Sequence, residues 1–288
     1  MSEITKELHK KVVRNFQRRR VIVNEVDEIW GSDLVDMAFT EKENKPFRYI
    51  LTVIDCFSKY AWAVPLKNKN AESIISAFEE IFKEGRICKK LWVDQGSEYY
   101  NNKFQKFLDK HDITIYSTFG EHKSAIIERF NRTLKEKMFK YFTENDTRKW
   151  VNILPTLIKT YNNSYHRTIK MTPVEASKDK NENDVLTNLN DVKPIKKTQA
   201  KFKIGDYVRL SVKKNTFEKS YTPNWTHEVF KIVEVLNTTP ITYKICEYDG
   251  TEIKGSFYNQ ELQKTNAKDV FKLDAVLKER TKNGKKEH

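Results

Sequence analysis

Cysteine is scarce in this chain, apolar runs are short, and acidic residues are outnumbered by basic ones. Cys56, Cys88 and Cys246 are odd in number, widely spaced and never arranged as CxxC, so neither a disulfide framework nor a structural zinc site has ligands here. Each lies in an apolar stretch, where a thiol acts as a small buried hydrophobe in a reducing compartment. No apolar run approaches the ~20 residues that span a bilayer, and the first 20 residues carry charge in place of an apolar signal core. A soluble intracellular protein is expected. The 40 Asp+Glu against 53 Lys+Arg leave a net charge of +13, which favours a polyanionic partner such as nucleic acid or a membrane surface. A merely soluble basic protein has the same balance. No internal repeat is present.

What the chain does have is core-forming material: 38% hydrophobic residues, with 17 Phe and 13 Tyr, in 288 residues. Residues 1–27 are polar and basic, with Arg14, Arg18, Arg19 and Arg20 close together, and are expected to form an arm. From Glu28, "EIWGSDLVDM", "FRYILTVIDCF" and "YAWAVPLK" predict a three-stranded meander. "NAESIISAFEEIFKEG" then carries Ile74, Ile75, Phe78, Ile81 and Phe82 at helical spacing, with Asn70 as N-cap and Gly85 at the C-terminus. The expected order continues to βββαβαβα, ending in the helix "SAIIERFNRTLKEKMFKYF", with a further helical pair up to residue 177 and a turn or kink at Pro155. Residues 178–200 have a linker composition. Residues 201–264 contain closely spaced strands that suggest a small β-barrel, and a basic tail, 265–288, follows.

Asp33 lies in the first strand, Asp94 ends the fourth, and Glu128 stands near the start of a strongly basic helix. An acid there would repel a polyanion unless a cation masks it. Three carboxylates converging from two strands and a helix suit Mg²⁺ or Mn²⁺, which prefer hard oxygen ligands, and two such ions ~3.5–4 Å apart can drive phosphoryl transfer. At ~100° per residue, Arg132 and Lys135 share the face of Glu128, while Ile127, Phe130, Leu134 and Met138 form the apolar stripe. The residue types alone leave a plainer reading open, in which the acids are solvated and Glu128 pairs with Arg132 as an ordinary i,i+4 ion pair.

Taken in order, "WGSDLVDM", "YILTVIDCFSKYAWAVPLKNK", "WVDQGSEYYNNKFQKFL", "IIERFNRTLKEKM" and "YNNSYHRTIKMTPVEA" resemble the retroviral-integrase catalytic core, and most of all the integrases of Maverick/Polinton transposons and virophages. The resemblance covers residues 28–177. It implies an α/β chain: an RNase-H-like core with a mixed five-stranded sheet and helices, followed by a small all-β SH3-like barrel that binds DNA. Asp33, Asp94 and Glu128 match the catalytic, metal-holding acids, whereas Asp36 and Asp55 match positions that are usually not catalytic. The implied activity is 3′-end processing and strand transfer with two Mg²⁺ or Mn²⁺ ions, and the implied partners are double-stranded DNA and further copies of the chain. A nuclear, viral-factory or virion location follows from it.

Arg132, Lys135, Lys123, Arg129, Arg18, Arg19 and Arg20 are the expected DNA contacts. The family's zinc-binding domain has no counterpart here, because His9 has no partner cysteines; "VFKLDAVLKERTKNGKKEH" resembles the first strand and turn of a chromodomain. Two rivals share these residues: an integrase-derived DNA-binding protein that has lost activity, and an RNase-H-like nuclease that only hydrolyses.

Overall fold

The computed structural model describes residues 2–117, 125–191, 199–214, 221–266, 280–282 and 285–287. The chain divides into two compact units, one of residues 21–193 and one combining residues 1–20 with 194–288. Helix α1 (Glu3–Leu8) belongs to the second.

In the larger unit, β1 (Ile29–Asp36), β2 (Tyr49–Asp55) and β3 (Ala61–Leu66) form the antiparallel meander, with a 3-10 turn, Ala38–Thr40, and a short helix α2 (Glu41–Asn44) between β1 and β2. Then come α3 (Ala71–Phe82), β4 (Lys90–Trp92), α4 (Asn102–Lys110), β5 (Thr114–Tyr116) and α5 (Ala125–Glu144). Strand order is β3-β2-β1-β4-β5, and because β4 runs parallel to both β1 and β5 the sheet is mixed. This is the expected order of elements. Asn70 caps α3 through a bond from the Ser73 amide, and Gly85 turns the chain at φ +85°. The near-continuous apolar run of β2 is explained by burial on both faces, since successive side chains alternate sides. Leu51 and Val53 join Trp30, Phe78 and Phe104 under α3 and α4; Ile50 and Ile54 join Ile127, Phe130, Leu134 and Met138 under α5.

The turn after β2 is held by a buried charge network. Asp55 is fully buried and accepts from the Phe57 and Ser58 amides, the Ser58 hydroxyl and Arg86 Nη2 at 3.0 Å. Arg86 also binds Asp27 and lies over the rings of Tyr60 and Trp62. All three cysteines are free and buried.

Beyond α5 lie α6 (Leu154–Asn162), with Pro155 in its first turn, and α7 (Pro173–Ala176), closed by a capping box of Thr172 and Glu175. His166, between them, accepts from the Thr168 amide at Nδ1. Burial and the nearby Lys59 charge lower its pKa to about 4. A histidine depressed from its unfolded value of ~6.5 contributes stability that is whole above that value and is lost as pH falls toward about 4. The melting temperature should therefore drop as pH falls from ~6.5 to ~4, and His166→Gln should flatten that slope.

The stretch read as a linker departs from expectation. A 3-10 turn, Asp179–Asn181, and helix α8 (Glu182–Asn190) occupy it, and Val185 is fully buried with Val23, Ile29, Cys56 and Phe57. Three apolar residues, Val185, Leu186 and Leu189, anchor an otherwise polar helix.

The second unit is built on an antiparallel sheet of β6 (Tyr207–Leu210), β7 (Phe230–Leu236), β8 (Thr242–Cys246), β9 (Phe257–Tyr258) and β10 (Leu262–Lys264), in the order β10-β6-β7-β8-β9. Phe202, Val208, Phe230, Ile232, Tyr243, Ile245 and Leu262 form its core. A hairpin of β11 (Arg280–Lys282) and β12 (Lys285–Glu287) follows; most of the chromodomain-like stretch, namely residues 270–279, 283–284 and 288, lies outside the described residues.

Of residues 1–27, read from sequence as one arm, residues 1–20 are part of this unit and residues 21–27 belong to the larger one. The Leu8 carbonyl accepts from the Asn224 and Trp225 amides, and Trp225 Nε1 donates to the Lys10 carbonyl at 2.9 Å. Glu7 meets the buried Arg209 and accepts from the Thr265 hydroxyl, while Gln263 donates to the Glu7 carbonyl. Further on, Phe16 packs edge-on against Tyr258, Arg18 lies 4.0 Å from the Phe16 ring centre, and the Arg19 amide and guanidinium donate to Tyr258 and Ser256. Polar and backbone groups carry most of these contacts, so no hydrophobic period announces them.

Candidate active site

The parallel register of β1 and β4 brings two acids together. Gly31 lies opposite Trp92, the last residue of β4, so Asp33 two residues on in β1 stands beside Asp94, which lies two residues past the end of β4 rather than in it. Their proximity is felt electrostatically: burial, and then the charge of Asp94, raise the Asp33 pKa, against hydrogen bonds from the Leu34 amide and Asn131 and the charge of Lys135. Asp33 Oδ1 accepts from the Leu34 amide at 2.8 Å, and Oδ2 accepts from Asn131 Nδ2 at 2.8 Å. Behind Asp33, Ser32 and the buried Tyr99 share a hydrogen bond of 3.0 Å, which ties β1 to the segment after Asp94.

Helix α5 supplies the other wall. Ile127, Phe130, Leu134 and Met138 are buried, as the helical period requires, and Glu128, Arg132 and Lys135 are exposed. Asp33, Glu128, Asn131, Arg132, Lys135, Glu136 and Phe139 line one cleft of about 550 Å³. Arg132 pairs with Glu136 at 3.1 Å, one turn further along, rather than with Glu128. Arg129 is exposed on α5 but is not among the cleft residues, and Lys123 lies outside the described residues. Arg18 and Arg19 make the contacts within the second unit given above. Asp36 is exposed and caps the turn after β1 by accepting from the Ala38 amide, and Asp55 serves the buried network.

Sequence reasoning passed over Asn131. It is buried on the border between the apolar stripe and the cleft, and its only signal was a polar residue three positions after Glu128. Its Oδ1 is buried with no hydrogen-bond partner, while its Nδ2 holds Asp33. Among the described residues no three acids, histidines or cysteines converge closely enough to enclose a metal ion. The donor chemistry nevertheless fits a hard divalent cation: a desolvated carboxylate, a second acid beside it, a third on the cleft wall, and the buried unpaired amide oxygen of Asn131, whose nitrogen holds Asp33.

Asp33 in the middle of β1 and Asp94 just past the end of the parallel β4 thus stand side by side, and α5 carries a third acid, Glu128, on the wall of the cleft that Asp33 lines. Residues 23–118 match the family model described as "Integrase core domain". Over 212 residues the chain is 32% identical to a transposon-derived protein of Caenorhabditis elegans, a match that takes in 73% of this chain and 71% of that protein. It is also 29% identical over 121 residues to the Gag-Pol polyprotein of feline leukemia virus, spanning 41% of this chain but only 7% of the polyprotein. In structure it is similar to a chain from the simian T-cell lymphotropic virus intasome complex with the PP2A regulatory subunit B56 gamma, at a TM-score of 0.61 and 17% identity, covering 88% of this chain and 83% of that one. At that identity the likeness speaks for the fold alone.

The chain thus belongs to the retroviral-type integrase core family, whose members are generally polynucleotidyl transferases. Its larger unit has the RNase-H-like fold of an integrase core, with the mixed five-stranded sheet.

Proposed function

We propose that the protein is a DNA integrase of a mobile or viral element, of the Maverick/Polinton or virophage kind, acting by 3′-end processing followed by strand transfer. The observation that carries this reading is the juxtaposition of Asp33, within β1, and Asp94, just past the end of β4, with Asp33 lining the same cleft as Glu128. Asp33, Asp94 and Glu128 would hold two Mg²⁺ or Mn²⁺ ions, which when bound supply Lewis-acid stabilisation of the attacking and leaving oxygens. Asn131 orients the Asp33 carboxylate through its Nδ2. Lys135 and Arg132 offer their charges to phosphates along the same groove, Arg132 by exchanging its exposed partner Glu136 for a phosphate oxygen. Arg129 extends the basic surface, Lys123 is a further DNA contact on the grounds of its sequence position alone, and the second unit, as an SH3-like barrel bearing Arg18, Arg19 and Arg20, adds contacts to duplex DNA.

In the first step water displaces a 3′-oxygen at a phosphodiester near the element end and leaves a free 3′-hydroxyl. In the second, that hydroxyl attacks a target phosphodiester in line and expels its 3′-oxygen, so one bond is broken as one is made and no covalent enzyme intermediate forms. The chain's contribution is positioning and electrostatics. Joining two ends to one target calls for more than one copy, and we propose a homo-oligomer.

A strand-transfer assay with Mg²⁺ or Mn²⁺ tests the reading. Wild-type protein should yield both cleaved and joined products, and Asp94→Asn or Glu128→Gln should yield neither. Cleaved but never joined products would favour a hydrolytic nuclease, and normal turnover by either variant would exclude the metal mechanism.

A further inference from the structure

An exposed aromatic pair stands at the far end of the cleft. Phe39 and Phe139 are 54% and 48% exposed, yet their rings stack on each other at 5.8 Å between centroids and 29° between planes. Both are presented on rigid supports. The 3-10 turn that carries Phe39 is fixed by Thr40, which donates to the Met37 carbonyl and accepts from Trp150 Nε1, and by Asn44, which donates to the Thr40 carbonyl. Phe139 projects from α5 and leans on the buried Phe142, 5.5 Å away. Two large apolar rings held rigidly toward solvent forgo burial that a small rotation of a loose loop would recover, and such placement marks a binding surface.

The location specifies the occupant. Phe139 lines the same cleft as Asp33, Glu128 and Lys135. Along α5 it follows Glu128 by eleven residues and Lys135 by four, so at ~100° per residue the three lie within ~40° of one stripe, and at 1.5 Å per residue Phe139 stands ~16 Å from Glu128 along the axis. Successive nucleotides advance ~3.4 Å, so the rings fall about five nucleotides from the acids, with Lys135 in between at phosphate reach. Charge, then aromatic surface, along one groove is the pattern that holds an unpaired strand: cations track the backbone and a ring stacks on a base.

We propose that Phe39 and Phe139 form a stacking platform for a nucleobase unpaired from the DNA a few nucleotides from the reacting phosphodiester, which makes them positioning residues for the frayed end of the substrate. The proposal rests on the reading of the cleft as an integrase site.

The test is binding, in metal-free buffer, of a duplex with a short single-stranded overhang containing 2-aminopurine, compared with the same duplex blunt-ended, for wild type, Phe39→Leu, Phe139→Leu and Phe139→Trp. Wild type should prefer the overhang and quench its fluorescence. Each leucine variant should lose roughly tenfold in overhang affinity with blunt-end affinity and salt dependence unchanged, and Phe139→Trp should retain the preference. No preference in wild type, an equal loss for both duplexes, or leucine variants that match wild type would overturn the platform. So would a change of oligomeric state with the preference intact, which would assign the rings to a second copy of the chain. The two readings fail separately. Wild type that prefers the overhang but neither cleaves nor joins DNA with Mg²⁺ supports the platform and removes the integrase reading; wild type that joins DNA while both leucine variants behave normally removes the platform alone.

Discussion

Replacing Asp33 by asparagine should reduce DNA cleavage and joining by roughly 10³-fold or more, because the charge that is lost sits where two metal ions and a developing oxyanion would be balanced. The same variant should melt higher than wild type in metal-free buffer at neutral pH. Asp33 is a carboxylate whose ionised form is penalised first by burial and then by Asp94, and an amide removes that penalty. The hydrogen bond across the cleft survives, since a flip of Asn131 presents its now unpaired Oδ1 to the new amide. Magnesium should raise the melting temperature of wild type and leave Asp33→Asn unmoved, because a ligand stabilises only the state that binds it. Thermal melts with and without Mg²⁺, alongside the strand-transfer assay, check all three outcomes. A variant that is inactive because it is misfolded would melt lower, which separates loss of chemistry from loss of fold.

Arg86→Met should be the most damaging single change to the larger unit. It leaves Asp55 fully buried without its ion-pair partner, with only the buried Lys59 charge nearby, and removes the bridge to Asp27. Breaking a buried ion pair from one side costs ~3–5 kcal/mol, which in a unit of this size lowers the melting temperature by on the order of 10 °C. Adding Asp55→Asn to Arg86→Met should recover part of the loss, since the uncompensated charge goes with it. If the double variant is as unstable as the sum of the two singles, the pair is not a coupled unit. Because Asp55 is opposite Trp30 in the β1–β2 register, the network also fixes the strand on which Asp33 is carried. Its loss should therefore lower activity at temperatures well below the melt.

The parts of this molecule that follow a local period were legible in the sequence. Helices α3 and α5 put their apolar residues at spacings near 3.6, strand β2 shows the near-continuous apolar run of a strand buried on both faces, and the buried stripe of α5 left Glu128, Arg132 and Lys135 facing out, as the spacing requires. Contacts between distant polar groups were not legible. Asn131 and Asp33 are 98 residues apart, and nothing in either neighbourhood encodes the other. Helix α8 was missed because Asn and Asp dominate its composition, although Val185, Leu186 and Leu189 carried a short helical signal. The partner of Arg132 illustrates a different limit: Glu128 and Glu136 are both four residues away, and periodicity cannot choose between them.

The docking of residues 1–20 onto the second unit has a consequence for how the chain comes to be folded. Arg209 lies 202 residues after the Glu7 carboxylate it meets, and Gln263 lies 256 after the same residue. Residues 1–20 thus find their place only after the residues around Arg209 and Gln263 have been made, by which time residues 21–193, a contiguous stretch, have had time to form their own unit. Until the sheet of the second unit exists, Leu8 and Phe16 have no surface to cover, and residues 194–288 made by themselves would carry the Arg209 guanidinium without its carboxylate.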